Sequence, residues 1–244
     1  MNFLQRLFSK NKQKDAGPNA AEASNSNALA SPDTASAGAS NENAPPSFEL
    51  KWLEAAENPF GARVFDCREY ALKRGSTSKN PGITTKFFET RKTDGMEYLG
   101  KFPGNWIKTI VNLDFRLTGH RSYQDGIPDG ILFKAQSMEQ KWDIYKYAGF
   151  IFFVRSWTGE LVYFCNYLPA ESGFKTDLVV LDRSKMDEDD PLFEIRNIEF
   201  LLLSHVLDMQ VPHPIPKLIK DCPEAIASYS FSMFGNRGLF AMCG

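Results

Sequence analysis

Residues 149–168 read GFIFFVRSWTGELVYFCNYL, the densest run of strand-forming side chains in the chain. Phe150 to Val154 and Leu161 to Phe164 are two apolar runs, joined by polar, glycine-bearing residues around Ser156 to Glu160. Aromatic and β-branched runs separated by such a short connection read as a β-hairpin. A strand with one wet face alternates apolar and polar residues. These two barely alternate, so both faces should be covered and the hairpin should sit at the centre of a sheet.

Outward from this hairpin, 177–182 (DLVVLD) reads as a further strand after a loop over 169–176. On the N-terminal side, Val111, Leu113, Phe115 and Leu117 alternate cleanly, which favours a strand for the second half of 106–117. Residues 130–136 read as a short strand. Ser137 and Gln140 offer a capping box for a helical turn, while 141–147 fits equally well as another strand. Val64 and Phe65 open a strand, 50–57 has a helical pattern stopped by Asn58-Pro59, and 73–82 reads as a loop.

Helical signals gather at the C-terminal side. Asp190-Pro191 supplies a cap residue followed by proline at the first helical position, and apolar residues then recur at helical spacing to about Met209. Pro212, Pro214 and Pro216 end that helix. Asp221 with Glu224 forms a second capping box, for a helix from Pro223 to about Phe234 closed by Gly235. The resulting expectation is an α+β fold. It has a mostly antiparallel, aromatic-rich sheet of about five or six strands covered by C-terminal helices, preceded by a disordered linker.

Three segments differ in composition. Residues 1–14 place Phe3, Leu4, Leu7 and Phe8 on one side of a helix, with Arg6, Lys10, Lys12 and Lys14 and no acid. Such a basic amphipathic helix suits docking on an anionic membrane surface or in a partner's groove. Residues 15–47 are mostly Ala, Ser, Asn and Pro, too poor in apolar surface to offset chain entropy, and read as a flexible linker spanning roughly 30 Å. Residues 48–244 read as one globular domain.

The 244 residues carry 43% hydrophobic and 13% aromatic side chains, twenty of them Phe, which suffices for a thick core. A net charge of −2 gives no overall field that would favour nucleic acid, and no nucleic-acid partner is expected. Between Arg68 and Lys92 seven Lys/Arg stand against two Glu, but no nucleic-acid motif accompanies them. Glycine-rich phosphate loops and the G-x-S-x-G elbow are absent, so neither a nucleotide cofactor nor serine acyl transfer is indicated. The histidines, His120, His205 and His213, have no metalloprotease spacing, and the acidic run Asp187 to Asp190 lacks the spacing of a calcium loop; no metal and no cofactor are expected. The four cysteines, Cys67, Cys165, Cys222 and Cys243, form no C-x-x-C pair. Cys165 reads as a small buried hydrophobe, and a reducing cytoplasm is the default, with a peripheral place at the inner face of a membrane if 1–14 binds lipid.

Two functional readings follow. The first is a non-enzymatic binding module with a protein partner, tethered through residues 1–14 to a membrane surface or larger assembly. Its recognition patch would be Arg155, Trp157 and Glu160 beside the hairpin turn. The second is a small intracellular enzyme, a thiol hydrolase with Cys67 as nucleophile, His120 as base and Asp114 as orienter, its site in the loops 73–82 and 118–130.

Overall fold

The computed structural model describes residues 48–75, 80–117, 126–185 and 191–243. Segments 1–14 and 15–47, His120 and the acidic run Asp187 to Asp190 lie outside these residues, as do parts of the loops 73–82 and 118–130.

The 149–168 stretch folds as expected. Strands β6 (Phe150–Arg155) and β7 (Leu161–Asn166) form an antiparallel hairpin, with Phe152 opposite Phe164 and Phe153 opposite Tyr163. All four side chains are fully buried. Gly159, at φ +70°, donates its N–H to the Arg155 carbonyl and closes the turn. The ambiguous 141–147 segment is strand β5 (Trp142–Tyr147). It joins β6 through Ala148 and Gly149, whose φ values of 49° and 78° are both left-handed. Such a two-residue turn carries the same twist as the strands it links, which stabilises the pairing.

On the far side of β7 lie β9 (Gly173–Asp182) and then β3 (Trp106–Arg116), while β4 (Gly130–Phe133) flanks β5 and the short β8 (Leu168–Ala170) pairs with β9. Every pairing in this seven-stranded sheet is antiparallel, in the order β3-β9-β7-β6-β5-β4. Residues 169–176, expected as a loop, are instead β8, a tight turn and the start of β9.

Both faces of the sheet are covered. One carries Ile144, Ile151, Phe153, Tyr163, Cys165, Val179 and Leu181, packed against Ile198, Leu201, Leu202 and Phe234 of the C-terminal helices. Those helices are α3 (Pro191–Leu201) and α4 (Pro223–Phe234). The other face carries Tyr145, stacked on Tyr98 at 5.7 Å, and Phe164, met edge-on by Phe102 at 5.5 Å. A short helix, α2 (Pro81–Thr90), belongs to this second cover. Thr90 Oγ1 donates to the Ser156 carbonyl, and the Arg91 guanidinium is clasped by the fully buried carboxylate of Asp143. Lys134 Nζ donates to the carbonyls of Thr90 and Thr93 at 2.6 and 2.8 Å, closing the end of α2. The sequence signal for α2, Asn80 followed by Pro81, is the same one that marks α3; Asn80 accepts the Gly82 N–H as its cap.

A second, four-stranded sheet was not legible in the pattern. Its order is β1-β2-β11-β10, from β1 (Lys51–Leu53), β2 (Val64–Asp66), β11 (Phe240–Cys243) and β10 (His213–Ile215). β10 and β11 run parallel and the other pairs antiparallel. The helix expected over 50–57 is therefore β1 followed by a single 3₁₀ turn, Ala55–Glu57. After β2 the chain enters α1 (Arg68–Lys73), whose Tyr70 meets Phe231 of α4. α3 continues to Val206 as a π-helical segment, Leu202–Val206, rather than running as one α-helix to Met209. Gly235 closes α4 at φ +64°, and a Cβ there would fall 1.6 Å from the Glu139 carbonyl oxygen, so only glycine fits.

Truncating the hairpin core should be severe. Phe152→Ala or Phe164→Ala is expected to cost about 3–5 kcal/mol, as for other fully buried aromatics, read as a lower denaturant midpoint at unchanged slope. A loss under about 1 kcal/mol would place the hairpin outside the cooperative core.

Candidate functional site

Where the end of α3 crosses the edge of the small sheet, the surface opens into a groove of about 360 Å³. Phe200, Leu203, Val211, Pro212, Pro214 and Met242 give it an apolar lining, with Arg196 and Glu199 from α3 and Cys243 from β11 completing it. The volume is in the range of small-ligand sites, which are mostly apolar with a few polar groups that fix orientation. Arg196 offers only donors and Glu199, when ionised, only acceptors. Together they can hold both kinds of main-chain group of a bound peptide.

Behind the groove lie two buried histidines. Phe200 meets His213 edge-on at 5.5 Å and His205 at 6.0 Å. His213 donates from Nδ1 to the Pro214 carbonyl at 2.9 Å, while its Nε2 has no partner. His205 sits in the π-helical segment with neither ring nitrogen partnered, 4.8 Å from the Phe133 ring. Burial pushes both imidazoles down from the ordinary 6.5, His213 to about 4 and His205, also repelled by Arg237, to about 3. Both are neutral at pH 7.

The residues singled out by sequence are placed as follows. Arg155 Nη1 and Nη2 donate at 3.1 Å to the carbonyls of Met233 and Ser232, in the last turn of α4, and its guanidinium lies 4.8 Å over Trp142. Trp157 donates from Nε1 to the Met138 carbonyl at 2.8 Å, and the Lys141 ammonium lies 4.0 Å over its ring. Both side chains are engaged in fastening α4 and the 138–141 segment to the sheet; Glu160 is exposed at the turn. Cys67 is fully buried in the small-sheet core and donates to Ser230 Oγ at 3.3 Å. Burial raises its thiol to about 12, so it holds no thiolate at neutral pH. Asp114 stands on β3 in the other sheet, its carboxylate 3.6 Å from Lys175 and largely in water. The structure thus brings Cys67 and Asp114 to different sheets, and His120 lies outside the described residues.

Among the described residues no cluster of three or more His, Cys, Asp or Glu could hold a metal ion, and no helix is long and apolar enough to cross a membrane. The groove itself escaped sequence reading. Its lining joins the end of α3, the 211–214 segment that follows it and residues 242–243 of β11, and Pro212 and Pro214 carried only the signal of a helix end. No known protein family, no curated protein and no solved structure matches the chain.

The histidines give the fold a defined acid sensitivity. Each is depressed in the folded state, so the unfolded chain binds the extra proton. Stability is complete above the ordinary 6.5 and falls as pH drops toward about 4, the value of His213 in the fold. The expected slope is up to about 1.4 kcal/mol per pH unit for each histidine. His205→Leu should flatten the decline of the urea midpoint between those values. An unchanged slope would show that His205 is not buried neutral.

Proposed function

We propose that residues 48–244 form a binding module that seats an extended apolar segment of a protein partner in the groove between α3 and the small sheet. Residues 1–14 would hold the module in the cytoplasm, at the inner face of a membrane or on a larger assembly. The observation that carries the reading is the groove: Phe200, Leu203, Val211 and Met242 form an apolar lining, with a donor, Arg196, and an acceptor, Glu199, one helical turn apart. The thiol-hydrolase reading draws no support from Cys67, which is sealed and protonated.

The groove is tested by selecting a random peptide library on the full chain and on a Leu203→Glu variant, Leu203 being half-buried at the groove. Peptides enriched by the wild type should carry large apolar residues, compete with one another, and bind Leu203→Glu at least tenfold more weakly, with both proteins assayed well below their thermal midpoints because Leu203 also packs against the main core. Equal enrichment on both proteins, or none on either, would sink the groove as the binding site.

The tether is tested separately. Burial of Phe3, Leu4, Leu7 and Phe8 is its first source of affinity. Attraction of four cations to anionic lipid adds at most about 1 kcal/mol per charge, so binding should be weak and reduced by salt. Replacing Leu4 and Leu7 by Glu should abolish cosedimentation with phosphatidylserine vesicles at low salt without changing the thermal midpoint. Wild-type protein that fails to cosediment would leave only a protein partner for residues 1–14.

A further inference from the structure

The longest strand in the structure, β3, spans Trp106–Arg116 and pairs with β9 on one side only; among the described residues no strand pairs with its other edge. Its odd-numbered side chains turn inward, and Ile107, Val111 and Leu113 pack against the main core while remaining half-buried. The even row faces away from that core: Trp106 is half-buried against Phe102 at 5.0 Å, and the even positions from Lys108 to Arg116 are exposed, with Ile110 75% exposed in the middle. A long open edge with an exposed isoleucine is a template for another strand unless something specifies or blocks the pairing.

We propose that two copies of this chain associate by pairing β3 with β3, antiparallel, about a twofold axis at Val111. A twofold axis makes the contact isologous, so each residue meets a partner equally far from the axis on the other side. With the axis at Val111, Lys108 stands opposite the partner's Asp114, Trp106 opposite the partner's Arg116, and Ile110 opposite the partner's Asn112. Each ion pair and each Arg–Trp contact occurs twice, and cross-strand pairs of opposite charge are stabilising. Neighbouring registers fail. An axis at Asn112 sets Lys108 against the partner's Arg116, and one at Ile110 sets Asp114 against the partner's Trp106. The ladder irregularity between Ile110 and Leu113 falls at the axis, so each copy contributes two short pairing wings rather than one continuous run. The same charges and bulge that blunt this edge against unrelated strands select its own copy.

The test uses the full chain in sedimentation velocity over a wide concentration range. Wild type should show a concentration-dependent dimer. Lys108→Asp places two aspartates against each other at both pairs, and Asp114→Lys places two lysines there; each variant alone should have its dissociation constant raised on the order of tenfold or more. An equimolar mixture of the two restores both ion pairs across the axis and should dimerise as well as wild type. Lys175→Ala removes the contact within one copy without touching the proposed pairs, and should leave the dimer intact. A wild type that stays monomeric, a dimer indifferent to either charge reversal, or a mixture that fails to recover would each overturn the proposal.

Discussion

Phe152 against Phe164 on one face and Phe153 against Tyr163 on the other set the terms for the whole fold. A hairpin this apolar on both sides cannot leave either face wet. Helices α3 and α4 cover one face, and α2 with the chain from Arg91 to Asn105 covers the other. Each cover is then fastened by polar contacts with little freedom. Arg155 binds the last carbonyls of α4 from one end of the hairpin, while Arg91 and Asp143 bind the end of α2 from the adjacent strand. Breaking such a buried pair by removing one partner leaves an uncompensated charge, so these contacts fix where the layers sit even where their net contribution to stability is modest.

Sequence reading reached those parts of the fold whose signal is local and strong. The hairpin, the alternation from Val111 to Phe115, the Asp190-Pro191 helix start and the Gly235 stop all rest on near neighbours in the chain. The small sheet was hidden because its strands have only three or four residues, too few to establish a period, and because β2 pairs with β11 near the other end of the unit. α2 was missed although Asn80-Pro81 marks it, because the surrounding Lys, Ser and Gly residues outweighed one cap signal. The groove depends on β11 meeting the end of α3 and the 211–214 segment, which no local pattern encodes. Arg155 and Trp157 read as a recognition patch beside the hairpin turn because of their type, but residue type alone does not separate a fastening role from a recognition role.

The buried polar groups behind the groove have a common character. His205 and His213 together leave three ring nitrogens without a partner, and Asn197 Oδ1 on the preceding helix is likewise unpartnered and buried. An unsatisfied buried polar atom costs roughly 1–3 kcal/mol. Such a concentration on α3, its π-helical extension and the adjoining β10 marks this as a poorly satisfied part of the core. It lies directly beneath the groove, where Phe200 touches both histidines.

The small sheet has a consequence for how the chain is made. β2, formed by residues 64–66, finds its partner β11 only at residues 240–243, and β10 joins by pairing with β11. During synthesis the first half of this sheet must wait, with Val64 and Phe65 unsheltered, until almost the entire unit has emerged. The seven-stranded sheet needs no residue beyond 182: β4 to β9 find neighbours soon after they appear, and β3 waits only for β9. Contacts between such distant segments carry a large closure entropy and form late. The small sheet therefore depends on residues 240–243: a chain stalled or cleaved before them can assemble its aromatic centre yet leaves β2 as an open edge, the kind of surface that chaperones and proteases recognise.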